Sequence, residues 1–298
     1  MQKNIAKQLN ITGQWLNKKS LRVADCAYYA QQKKVGALTM KKERMTKSNP
    51  LFTKSLIPHG NGKLLDFDNE ETGEKIRYAQ FNTRAVLDCP FRSAGCEAVC
   101  YATKGNHQFP SVMLSRSASY NESRKANFQE RMTYTIRYHL QTKRYNGSVM
   151  VLRIHESGDF YSVQYLRKWI EIWKNLEGEP VLFVFYTKSF PFFLMLNDEE
   201  KNIVRKMMKV GQLAMNLSID DTTSTRQRIA YLEMLKEFPL ANTYRVTETA
   251  TEDDDKCDCA DCARCGACNK AQGKEKVVEI HSASNADKEI YRKNAERE

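Results

Sequence analysis

Along the middle of this chain the hydrophobic positions alternate between two periods. Residues 148–154, 181–187, 212–219 and 243–248 are nearly continuous β-branched and apolar runs, as in strands buried on both faces. Between them the spacing is helical. Tyr165, Leu166, Trp169, Ile172, Trp173 and Leu176 form one apolar stripe, and residues 198–209 read as a second helix. Residues 224–237 read as a third, capped by Thr222-Thr223-Ser224 and turning Ile229, Leu232 and Leu235 inward. Upstream, residues 77–82 read as a first strand, preceded by hairpin turns at 59–62 and 68–73. Residues 111–143 read as one long helix, with Phe128, Met132, Ile136 and Leu140 spaced by four and Arg116, Arg124, Arg131 and Arg137 on a solvated face.

Strands alternating with helices of this length mean βαβ units with right-handed crossovers and a parallel sheet. The expected class is α/β, either a partial (β/α) barrel or an open parallel sheet with helices outside. Five strands suit both, and periodicity does not separate them. A short strand at 277–280 and a charged helix or fray at 287–298 follow. Three segments are expected: a basic arm over 1–50, an α/β core over 51–250, and a cysteine-rich metal-binding extension with a charged tail over 251–298.

With 41% hydrophobic and 28% charged residues, the composition is that of a soluble globular protein. No apolar run is long enough to span a bilayer, and no signal-peptide core opens the sequence, so a cytoplasmic protein without a membrane partner is expected. Thiols stay reduced there, and clustered cysteines point to metal rather than disulfides. The formal charge of +11 is concentrated in residues 1–50, where eleven Lys and Arg face only Asp25 and Glu43. Basic pairs alternate there with Trp15, Tyr28 and Tyr29, a pattern that suits single-stranded nucleic acid or, equally, a short amphipathic helix packing its rings on the domain.

Of nine cysteines, Cys26 stands alone as a small hydrophobe and eight fall into two groups. Cys89, Cys96 and Cys100 share a loop with Pro90 and Gly95, one ligand short of a closed tetrahedral site. That position is either filled by a distant residue or left open for chemistry. The second group is Cys257, Cys259, Cys262, Cys265 and Cys268, the last four separated by two residues each time. The small residues between them let the chain curl round a bulky iron–sulfur cluster, which is favoured over zinc. Either Cys257 or His281 is able to replace one of the four.

The ends of the expected strands are polar where the strands themselves are apolar. His155-Glu156-Ser157-Gly158-Asp159, Tyr186-Thr187-Lys188-Ser189 and Ser218-Ile219-Asp220-Asp221 join the cysteine loop at the carboxyl edge of the sheet, where sites form in such folds. His155 is a candidate base, a ligand or a satisfied core histidine. Gly158 permits close backbone approach. Asp159 suits a ribose hydroxyl, an amino group or a helix cap, and Lys188 suits a carboxylate or phosphate.

The motifs GNGKL (60–64), FNT (81–83), CP…C…CYA (89–102), RIHESGDFYS (153–162), FYTKS (185–189) and CARCGAC (262–268) together resemble the phage gene-product-88-like family. That family is in turn similar to radical S-adenosylmethionine enzymes, in which a cysteine loop after the first strand of a partial barrel holds a four-iron cluster. The resemblance implies Cys89, Cys96 and Cys100 on such a cluster. It implies Ser157, Gly158 and Asp159 near S-adenosylmethionine, with Tyr101 and Arg153 as further cofactor contacts and His155, Asp159 and Lys188 as catalytic residues. The C-terminal thiols resemble an auxiliary-cluster extension. The spacing departs from the usual three and two residues between thiols, being six and three here. The expected substrate is a nucleotide, a nucleic acid or a host component, in a viral setting the host cytoplasm; a zinc-stabilised nucleic-acid or host-protein binding module is the rival.

Overall fold

Strands β1 (Phe67–Asp68), β2 (Lys75–Phe81), β3 (Val149–Ile154), β4 (Val181–Thr187), β5 (Leu213–Asp220), β6 (Asn242–Thr247) and β7 (Glu275–Glu279) form one sheet in sequential order. The computed structural model describes residues 45–53, 66–68, 73–257, 267–280 and 283–297. These all belong to the unit Glu43–Glu298. Residues 1–44 of the basic arm (Cys26 among them), the turn at 59–62, Cys259, Cys262, Cys265 and His281 lie outside the described residues.

β1 pairs antiparallel with β2, and every later pair is parallel. Sequential parallel strands joined by right-handed crossovers carry all their helices to one face. The sheet curls away from them into a half barrel. Among the described residues the helices are α1 (Ala94–Ala98), α2 (Pro110–Arg124), α3 (Phe128–Leu140), α4 (Val163–Asn175), α5 (Phe190–Leu194), α6 (Asp198–Lys209), α7 (Thr225–Glu237) and α8 (Asn285–Ala295).

The convex face holds the main core. Phe81, Leu152, Ile154, Phe183 and Phe185 point outward onto Trp169 and Trp173 of α4, all fully buried. Trp173 stacks on Phe185 with centroids 5.7 Å apart. Each such side chain contributes about 1.5–3 kcal/mol on burial, which explains why the apolar runs were so legible. The concave face has a smaller apolar cluster of Tyr78, Val151, Leu182, Val184 and Ala214. A turn at Ala267–Asn269 crosses it. There Asn216 Nδ2 donates to Phe185 O (3.0 Å) and Cys268 O (3.2 Å). Asn242 Nδ2 donates to Asn216 Oδ1 (3.0 Å) and Lys270 O (2.7 Å).

Three expectations are corrected. The long helix is two, α2 and α3, because Lys125 turns extended and Lys168 Nζ seals the end by donating to Ser123 O (3.0 Å) and Lys125 O (2.8 Å). The break lets α3 lay Phe128, Met132 and Ile136 on the core in its own direction. Arg116 is buried rather than solvated. On α7, Ile229 and Leu232 are each 55% exposed, and Met234 is buried instead, with Ala230, Tyr231 and Leu235 packed beside it. No helix among the described residues is long and apolar enough to cross a membrane.

Candidate metal centre at the strand ends

Beyond Phe81 the chain turns sharply before the first thiol. Asp88 is buried and its carboxylate accepts from Arg84 N (2.7 Å) and Arg84 Nη2 (2.7 Å). The Arg84 guanidinium lies 3.7 Å from the Tyr120 ring centroid. Val86 is held at φ 65°, a left-handed conformation that a β-branched residue adopts only under constraint. α1 then starts at Ser93, whose Oγ accepts from Cys96 N (3.1 Å) and donates to Asp220 Oδ2 (2.5 Å). Gly95 N donates to Thr222 Oγ1 (2.8 Å). A Cβ on Gly95 would lie 2.6 Å from both Thr222 Oγ1 and the Tyr291 ring, so only glycine lets α8 press against α1.

Cys89, Cys96 and Cys100 are all partly buried. Burial is the main influence on each, pushing Cys89 far above the ordinary thiol range and Cys96 up to about 11. It raises Cys100 as well. Cys89 is raised further by Asp159, Cys96 and Cys100, which marks the three thiols as electrostatic neighbours. Lys188 acts in the opposite sense on Cys96. Three soft donors with no imidazole or carboxylate among them suit iron–sulfur or zinc, and ligation would release their protons. Among the described residues no group of three or more His, Cys, Asp or Glu side chains is arranged to hold a single metal ion.

The bend after β3 is bonded directly to this loop. Thr83 N donates to Ser157 O (2.9 Å), and Ser157 Oγ donates to Thr83 O (2.7 Å). Gly158 sits at φ 87°, and a Cβ there would fall 1.9 Å from Thr83 Oγ1. The close approach anticipated at Gly158 is therefore made by Thr83. Asp159 N donates to Asp88 O (3.1 Å). The Asp159 carboxylate accepts from Phe160 N (2.7 Å), Thr187 Oγ1 (2.7 Å) and Lys188 N (2.9 Å). Burial raises its pKa, and these donors oppose the rise.

Lys188 and Asp220 close the network from β4 and β5. Lys188 Nζ pairs with Asp220 Oδ2 (2.7 Å) and donates to Ser218 O (3.2 Å). Burial pushes Asp220 up, but the ion pair with Lys188 and the bonds from Ser93 and Thr222 outweigh it and leave the carboxyl below its ordinary range. The structure thus brings Asp159 and Lys188 together beside the thiols. It sets His155 apart. His155 Nε2 lies 2.9 Å from Tyr165 Oη on the helix side of the sheet, and burial holds its pKa down to about 3.

On the concave face, Arg153 lies 5.0 Å from the Tyr186 ring centroid. Tyr101 Oη donates to Glu156 O. Arg116 Nη1 donates to Ala102 O (2.9 Å) and holds the turn that follows Cys100. Cys268 receives Tyr244 Oη at 2.5 Å. A bond from Cys257 is the largest influence that lowers Cys268 to about 6, with Tyr186, Tyr244 and Arg153 acting in the same direction against burial. Two thiols of the second group therefore meet inside the curl of the sheet. Arg84, Asp88, Ser93, Arg116, Thr222 and Tyr291 escaped sequence reasoning. Only the S-x-x-C step from Ser93 to Cys96, a helix-cap spacing, gave a usable signal.

No curated protein and no solved structure matches the chain. The sequence profile of one protein family, gene product 88, covers residues 50–286. The match spans most of the chain, including both thiol groups and every strand of the sheet, and the protein belongs to the gene product 88 family.

Proposed function

We propose that this protein is an iron–sulfur enzyme of the radical S-adenosylmethionine type, with Cys89, Cys96 and Cys100 holding a cluster at the carboxyl edge of the half barrel. The observation that carries the proposal is the grouping of those three partly buried thiols with Asp159, Lys188 and Asp220, the polar ends of three successive strands. A four-iron cluster with an open iron supplies the electron for reductive cleavage of S-adenosylmethionine. The chain's own residues prepare the site. Ser93 and Thr222 fix α1 and hence Cys96, and Arg116 fixes the turn after Cys100. The hydroxyl of Ser157 and the carboxylate of Asp159 are engaged within the fold, so these residues position the thiol loop rather than grip a cofactor.

Cys257 and Cys268, with Cys259, Cys262 and Cys265, are the proposed ligands of a second centre. The basic run 1–50 supports a nucleotide or nucleic-acid substrate. The test is protein purified without oxygen and assayed for iron and acid-labile sulfide. Both are expected in wild type, and less of each in the Cys89→Ser, Cys96→Ser, Cys100→Ser variant. Under strong reductant the wild type is expected to release methionine and deoxyadenosine. Stoichiometric zinc without sulfide would overturn the proposal and leave a zinc-stabilised binding module.

A further inference from the structure

A cavity of about 80 Å³ opens where β6 and β7 begin, lined by Asn242, Tyr244, Gln272, Lys274 and Lys276. These are the amino ends of parallel strands, so the cavity lies at the opposite edge of the sheet from the first thiol group. One water needs about 10–15 Å³ of such space, so there is room for a ligand of several heavy atoms. Its floor is fixed, since Asn242 and Tyr244 are buried. Asn242 Oδ1 accepts from Gln272 N (3.2 Å) and Lys274 N (3.3 Å), and Gly273 N donates to Leu240 O (3.1 Å). The turn before β7 is thereby clamped to the start of β6. Residues 272, 274 and 276 alternate along an extended chain, which sends their side chains to one face, and Lys276 is in register with Tyr244. Lys276 Nζ pairs with the exposed carboxylate of Asp255 (2.6 Å). Lys274, exposed at the rim, has no hydrogen bond or ion pair at Nζ among the described residues, and the Gln272 carboxamide has none either. Glu275 turns to the other face, 3.5 Å from Arg245, so the cavity keeps a positive balance.

We propose that this cavity is a binding site for a phosphate group, held by Lys274, Lys276 and the Gln272 carboxamide. An ammonium group carries three donors, so Lys276 keeps Asp255 and still has a proton for the anion. Two cations and an amide donor on one face suit a dianion with several acceptor oxygens better than a carboxylate with two. The site is tied to the second thiol group, because Tyr244 forms its wall and donates to Cys268, and Asn242 also holds Lys270 O. An occupant would brace the turn that carries Cys268. The inference goes beyond the proposed function and needs no cluster.

Calorimetric titration of the full-length protein tests it, with inorganic phosphate, thymidine 5′-monophosphate and thymidine as separate probes at matched ionic strength. The basic run 1–50 attracts phosphate too, so the comparison between variants is what decides. Wild type is expected to bind a phosphate probe saturably, at one site per chain, and Lys274→Gln to bind it about tenfold more weakly. Lys174→Gln, at an exposed position on α4, is expected to match wild type. Binding of the monophosphate that depends on Lys274, with none of thymidine, would identify the ligand as a nucleotide's phosphate. Dependence on Lys274 for inorganic phosphate alone would identify the free ion. Equal binding by wild type and Lys274→Gln, or no saturable binding by wild type, would overturn the proposal. So would thymidine binding as tightly as its monophosphate, because the base and not the phosphate would then be recognised.

Discussion

Burial keeps His155 neutral down to about pH 3, whereas the unfolded chain protonates it near 6.5. The unfolded state therefore binds the extra proton between those values, and stability is full above pH 6.5 and lost as pH falls towards 3. For one such group the slope is about 1.4 kcal/mol per pH unit. Urea unfolding is expected to show a loss of about 2 kcal/mol between pH 6.5 and 5, and His155→Asn is expected to flatten it. Asparagine tolerates the left-handed backbone at this position, φ 62°. Parallel pH profiles for the two proteins would rule this out. Asp159 works in the opposite direction: its raised pKa favours the fold at low pH and is present in both proteins, so it does not disturb the comparison. Of three residue types offered as catalytic from sequence, histidine was the one whose environment could not be read. A lone histidine after an apolar strand looks the same whether its ring turns towards the mouth or into the core. Arg116 was misread for a related reason, since nothing in a helical pattern reveals that a carbonyl from another loop awaits the guanidinium.

The elements around the thiols are held by one polar network, and Lys188 and Asp220 are its centre. Removing Lys188 leaves Asp220 buried with no counter-ion, and Lys188→Met is expected to cost about 3–5 kcal/mol in chemical unfolding. In Lys188→Met with Asp220→Asn the loss is expected to be smaller than the sum of the two single variants, because the pair is coupled. Additive losses would mean that the contact contributes nothing. β3 to β6 were legible because strands covered on both faces have no polar period to confuse them. β1 was not, being two residues long, and β7 was legible as a strand but not as a member of the same sheet. Ser93, Thr222 and Tyr291 were illegible as partners because short polar residues in loops carry no sign of what they will meet. Gly95 and Tyr291 are far apart in the chain, and only their contact explains why α1 carries a glycine in its first turn.

For the molecule as a whole, the sequential strand order settles what periodicity left open. The crossover helices α3, α4, α6 and α7 collect on one side, the sheet curls, and the carboxyl ends of its strands converge around the first thiol group. Helix α8 packs on α1 and pairs Asp287 with Lys104, yet it follows β2 to β6 along the chain. A ribosome therefore delivers Cys89, Cys96 and Cys100 with their supporting strands well before it delivers the helix that packs on their loop. During that interval the sulfurs are accessible to whatever loads them. Refolding from urea is expected to reproduce the order, with fluorescence of the buried tryptophans recovering before Cys96 becomes resistant to alkylation. Simultaneous recovery of the two signals would mean that closure and core formation are one event.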